Sequence, residues 1–184
     1  MESSRRMALL LGFLAVTVGL SAAESQGAEA SSNLAEVRSF DAYRVYYAGD
    51  ELSGFPLTEV IKWDSAGNRG RRASWSFFYG DCQPPCAPPA EIQNYSTCRR
   101  WAGAYPGRPR LFSFRGAKAA WVPSAGSFEV YTGRTTAVIF GDSRRLMLEA
   151  GRLLRTVRQR RPRPLPPPAK GSLWGRLPCQ DKPG

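Results

Sequence analysis

Between Ser39 and Phe140 apolar residues alternate with polar ones, or run together, in short segments bounded by glycine, proline, asparagine or aspartate. Ser39 to Ala48 (SFDAYRVYYA) is rich in Tyr, Val and Phe and predicts a first strand. Leu57 to Trp63 (LTEVIKW) alternates and predicts a second, and the turn composition of Asp64 to Gly70 (DSAGNRG) closes it. In Ala73 to Tyr79 the run Trp75, Phe77, Phe78, Tyr79 is that of a strand buried on both faces. Four prolines exclude regular structure from Gly80 to Pro89, and Ala90 to Thr97 returns as a short strand. Trp101 to Pro109 reads as an exposed, turn-rich connection. Arg110 to Arg115, Ala119 to Val122 and Ser127 to Tyr131 are further strands, and Thr135 to Phe140 (TTAVIF), with its β-branched run, is the clearest.

After Gly141 the period changes. Leu146, Met147, Ala150, Leu153, Leu154 and Val157 recur at helical spacing, most of the charged residues fall on the other face, and Asp142 or Ser143 is placed to cap the N-terminus. The pattern predicts an α+β fold: a single small domain over residues 37–157, mainly an antiparallel sheet of about six or seven strands with a C-terminal amphipathic helix packed on it.

The flanks read differently. Arg5 and Arg6 precede the apolar run Ala8 to Leu20, and small residues at Ser21 and Ala23 follow, which is the layout of a secretory signal peptide over residues 1–23. Cleavage after Ala30 is the alternative. The run is too short for a comfortable membrane span, so no integral membrane span is expected after cleavage. Residues 24–36 are small and polar, a flexible leader. Residues 158–184 are rich in Pro and Arg and predict a disordered tail with polyproline II character around Pro162 to Pro168. Within it Arg158, Arg160, Arg161 and Arg163 are candidates for binding an anionic surface.

The chain contains no histidine, which excludes Ser-His-Asp and Cys-His nucleophiles and removes the commonest metal ligand. The net charge is +11. Residues 158–184 contribute seven Lys/Arg against Asp181, and most of the remainder falls in the middle of the chain. The excess is nearly all arginine, as expected of high-GC bacterial coding, and a basic secreted protein explains it more simply than a nucleic-acid partner.

Cys82, Cys86, Cys98 and Cys179 form an even set in a chain expected to be exported, so two disulfides and three connectivities are open. A bridge among the three clustered cysteines, Cys86 with Cys98 or Cys82 with Cys98, would staple the proline-rich loop to the sheet for roughly 2–4 kcal/mol. Cys179 would take the remaining cysteine or leave it free. The segment FFYGDCQPPCAPP, a strand followed by C-x3-C-x-P, is similar over about a dozen residues to the C-x3-C-P segment of Sco-type thioredoxin-fold copper chaperones. That resemblance implies thiol-disulfide redox work at Cys82 and Cys86. Such chaperones also use a distal histidine, which this chain lacks, and Pro84, Pro85, Pro88 and Pro89 replace the helix that should follow.

A four-cysteine zinc site would require Cys179 to return from the tail. Asn94-Tyr95-Ser96 matches the glycosylation acceptor pattern. Asp41, Glu51, Glu59 and Glu129 show no spacing that predicts an acid-base pair. Tyr43, Tyr46, Tyr47, Trp75, Phe77 and Tyr79, near Arg71 and Arg72, suit a core better than a stacking surface. The sequence therefore predicts an exported, non-catalytic binding or interaction module without a cofactor. Its expected partner is a protein or envelope component in the periplasm, cell envelope or extracellular space. A thiol-redox protein and an anionic-polymer binder acting through the arginine tail are the alternatives.

Overall fold

A computed structural model describes residues 33–63, 73–81, 87–177 and 179. The expected signal peptide over residues 1–23 lies outside them. Residues 33–39 are helical (α1), with Val37 buried in the core and the Asn33 amide donating to the Val60 carbonyl. This end of the expected flexible leader is therefore tied to the sheet.

Eight strands make one antiparallel sheet. β2 (Glu51–Leu52), β3 (Phe55–Trp63), β4 (Ser74–Tyr79) and β5 (Ala90–Ser96) form one meander. β6 (Phe112–Phe114), β7 (Ala117–Val122), β8 (Ser127–Thr132) and β9 (Thr135–Gly141) form a second. The spatial order is β2-β3-β4-β5-β9-β8-β7-β6, so the second meander is laid down from its far edge inward until β9 pairs with β5. Residues 97–111 must therefore cross one face of β9, β8 and β7 to start β6.

Register decides the core. Phe77, Ile92, Ile139 and Phe128 are successive cross-strand partners, and all four are fully buried. On this face lies α2 (Arg144–Leu153), whose first turn is capped by Ser143 Oγ accepting from the Leu146 amide at 3.2 Å. It buries Leu146, Met147, Ala150 and Gly151. Gly151 permits the close approach, because a Cβ there would stand 2.7 Å from the Phe128 ring.

Some expectations change. The sheet has eight strands rather than six or seven, and the one not expected is the edge Glu51–Leu52, whose two residues carry little pattern to read. Of Ser39 to Ala48 only Tyr46–Tyr47 is a strand (β1), and it pairs not with the large sheet but with β10 (Arg155–Thr156). The helix pattern through Val157 stops at Leu153, because Arg155 and Thr156 take up that pairing. Two buried side chains fasten this small ribbon to the sheet by imitating a backbone. Asn94 Oδ1 accepts from Tyr46 N and Asn94 Nδ2 donates to Tyr46 O, both at 2.8 Å, while the Tyr79 hydroxyl accepts from Ala48 N at 2.8 Å.

The Pro/Arg-rich segment, for which composition predicts disorder, follows a defined path over its described residues, 158–177 and 179. Prolines donate no backbone hydrogen bond, but their carbonyls accept, and the sheet supplies the donors. Thr132 Oγ1 donates to Pro166 O at 2.7 Å and Gly133 N to Pro167 O at 3.1 Å, while Leu165 N donates to Arg115 O at 2.6 Å. Leu165 is buried. Its carbonyl lies where a Cβ on Gly116 would stand only 2.6 Å away, and Gly116 has a φ of +92°, so this hairpin tip requires glycine. Arg115 reaches from the same tip to the last carbonyls of α2, donating to Gly151 O at 2.9 Å and Leu154 O at 3.0 Å. The segment forms a strap around one end of the sheet.

Candidate functional site

A cleft of about 780 Å³ lies at that end of the sheet. Its walls are the α1–β1 connection, the β8–β9 turn at Thr132 to Arg134, β10 with the residues after it, and Pro166 of the strap. Val37, Tyr43 and Val45 contribute buried apolar surface beneath. The Tyr43 hydroxyl is turned inward, 2.6 Å from Ala73 O and 3.0 Å from Asn94 O, and burial pushes it well above the ordinary phenol range.

Four arginines line the rim, Arg38, Arg44, Arg134 and Arg158, against Asp41 alone. All four are exposed, and among the described residues none of them makes an ion pair. Arg158 donates to the Arg38 carbonyl, which holds its guanidinium across the cleft mouth. Arginines around a concave surface are suited to carboxylate, phosphate or sulfate oxygens, which guanidinium groups bind through paired N–H donors. The chain has no histidine to serve there as a general base.

Of the arginines singled out in the sequence, Arg158 belongs to this cleft, while Arg160, Arg161 and Arg163 are exposed on the strap between the lining residues Gln159 and Pro166. Arg38, Arg44 and Arg134 are the residues sequence reasoning missed. They come from three separate segments, and the only trace of them was the positive balance of the middle of the chain.

Cys98 and Cys179 form a disulfide with a Cα–Cα distance of 5.8 Å. This replaces the expected Cys86–Cys98 or Cys82–Cys98 bridge, because the strap returns across the sheet to residues 97–111 and delivers Cys179 there. Cys82 and Cys86 lie outside the described residues. With Cys98 and Cys179 taken, the only second disulfide the chain can form is between those two.

The four carboxylates do not meet. Asp41 stands in the cleft, and Glu51 and Glu59 are exposed on β2 and β3. Glu129 lies on β8, four strands from β3 and so about 19 Å from Glu59. It is fully buried on the face opposite α2. Its Oε1 accepts from Arg100 Nε at 2.9 Å, from Arg100 Nη2 at 2.6 Å and from the Tyr105 hydroxyl, and its Oε2 accepts from the Tyr131 hydroxyl at 2.7 Å. Desolvation works against the Arg100 charge, but the Glu129 carboxylate outweighs it and holds the guanidinium above its usual range. Burial, reinforced by the same carboxylate, raises Tyr105 and Tyr131. Glu129 thus fixes residues 97–111 where they cross the sheet. Its acceptor capacity is used by protein donors, and this arrangement is architectural rather than catalytic.

Asn94 is likewise buried, with its amide engaged by Tyr46, so the glycosylation pattern has no accessible acceptor in the folded chain. Tyr43, Tyr46, Tyr47, Trp75, Phe77 and Tyr79 are all buried in the core, and Arg71 and Arg72 lie outside the described residues. Among the described residues no three His, Cys, Asp or Glu side chains are grouped to hold a metal ion, and no helix is long and apolar enough to cross a membrane. Comparison of the chain with family models, with curated proteins and with solved structures finds no match, so the role of the cleft rests on its own side chains.

Proposed function

We propose that the chain is an exported, non-catalytic binding module that takes an anionic ligand in the arginine-lined cleft. The observation that carries this reading is the placement of Arg38, Arg44, Arg134 and Arg158 around one concavity with a single acid among them. The volume lies in the range of small-molecule sites, roughly 300–1,000 Å³. Arg160, Arg161 and Arg163, exposed on the strap between the lining residues Gln159 and Pro166, add positive charge beside the cleft. Titration calorimetry with tripolyphosphate tests it. The Arg44→Gln/Arg134→Gln variant is expected to bind at least tenfold more weakly than the parent, and binding is expected to fall steeply with salt. Equal affinity in the two proteins would overturn the assignment.

A second reading concerns the cysteines. The Cys98–Cys179 bridge leaves Cys82 and Cys86 to each other, in the C-x3-C spacing of a redox pair. If the pair exchanges with external thiols, Cys82→Ser and Cys86→Ser each abolish the exchange. Unchanged exchange activity in either variant removes the idea.

A further inference from the structure

On the sheet face opposite α2 the disulfide joins two segments, residues 97–111 and residues 171–177 with Cys179, into one layer. Leu111 and Leu173 pack on Ala102, Ala120 and Tyr131 beneath it. Over residues 97–111 and 171–177 every charged side chain is an arginine: Arg99, Arg100, Arg108, Arg110 and Arg176. Glu129 pairs with Arg100. Trp174, on a single turn of 3-10 helix at Ser172–Trp174, is 44% exposed although it sits in a well-packed layer. The Arg108 guanidinium lies 5.7 Å from the centre of its ring. Arg108, which precedes Pro109, has a φ of +46°, a backbone conformation that residues with a side chain rarely adopt. Gly103 and Gly175 admit the indoles, since a Cβ on either would come within 2.9 Å of Trp174 or 3.0 Å of Trp101.

We propose that this surface docks on an anionic lipid bilayer. Trp174 sits at headgroup depth, and Arg108, Arg110 and Arg176 lie against the lipid phosphates. An indole left in solvent beside guanidinium groups is the pairing that favours a membrane-water interface, where the ring is half-immersed and the charges stay at the surface. The same two stretches contain no Asp or Glu, so the charge they offer is of one sign, complementary to anionic headgroups. This docking is separate from the cleft, which lies beyond the β8–β9 turn.

The test uses the full chain with vesicles of phosphatidylglycerol and phosphatidylcholine, and with vesicles of phosphatidylcholine alone. Co-sedimentation with the anionic vesicles is expected, together with a blue shift of tryptophan emission and loss of both between 0.1 and 1 M salt. Trp174→Ala should lose the shift. Arg110→Gln/Arg176→Gln, which changes only exposed side chains and leaves the indole in place, should weaken partitioning about fivefold per arginine. Arg44→Gln/Arg134→Gln, in the cleft, should bind vesicles like the parent. The proposal is overturned by absence of binding to the anionic vesicles. It is equally overturned if Trp174→Ala and Arg110→Gln/Arg176→Gln both bind as the parent does, or if only the cleft variant fails. Binding to polyglutamate as tight as to the vesicles, with tryptophan emission unchanged in both, would identify an acidic protein surface as the partner instead.

Discussion

Substituting Glu129 by glutamine removes one charge and almost no volume. Four donors from three side chains, Arg100, Tyr105 and Ser127, converge on its Oε1 and a fifth reaches Oε2, and an amide replaces one of those acceptor oxygens by an N–H2 group. The Arg100 side chain is 22% exposed and Glu129 is not exposed at all, so the guanidinium would be left largely desolvated without its counter-ion. Breaking such a pair from one side costs about 3–5 kcal/mol, and because Arg100 retains some solvent the lower end applies, about 3 kcal/mol. In urea, with an m-value near 2 kcal/mol/M, the midpoint should fall by about 1.5 M. The Lys62–Glu36 pair is an internal control. Its side chains are 25% and 49% exposed, and Glu36→Gln should change stability by no more than about 1 kcal/mol. Glu129→Leu combined with Arg100→Met removes both charges and should recover much of the loss, giving a strongly non-additive cycle. A loss below about 1 kcal/mol for Glu129→Gln, or an additive cycle, would refute the claim that this pair fixes the crossing segment.

Asn94→Ala strips partners from both Tyr46 N and Tyr46 O, two buried backbone groups at about 1–3 kcal/mol each, and should lower stability by about 2–4 kcal/mol in the same urea assay. Burial raises Tyr43, Tyr79 and Tyr131, so the folded chain keeps protons that the unfolded chain releases. The stability they contribute is complete below pH 10 and should be lost above it, at about 1.4 kcal/mol per pH unit for each tyrosine. Urea midpoints at pH 9 and pH 10.5 measure this, and equal values would contradict it. Cys98→Ser/Cys179→Ser opens a closure between residues 81 apart and should cost about 2–5 kcal/mol, read as a fall in the thermal midpoint.

Local periodicity carried most of the fold. Trp75, Phe77 and Tyr79 announced a central strand, and Thr135 to Phe140 announced the strand that joins the two meanders, because each side chain there packs against immediate register partners. What periodicity does not carry is long-range order. Tyr46 and Tyr47 carry strand composition, yet their backbone partners are Arg155, Thr156 and an asparagine side chain, which no local pattern encodes. The strap misled for a related reason: its prolines argue against internal structure, while the donors that order it sit on Thr132, Gly133 and Arg115. Of the candidate site only Arg158 was legible, since Arg38, Arg44 and Arg134 are brought together by the fold alone.

The Cys98–Cys179 bridge also sets an order of events in time. Cys98 leaves the ribosome with Cys82 and Cys86 already ahead of it and its native partner still unmade. Closing a loop of 12 residues to Cys86 is favoured over closing one of 81 residues by about 1.7 kcal/mol, or some 17-fold. Chain statistics alone would therefore oxidise the wrong pair first. The native bridge forms either by thiol exchange after synthesis or because β5 and the crossing segment fold early enough to withhold Cys98 until the strap arrives.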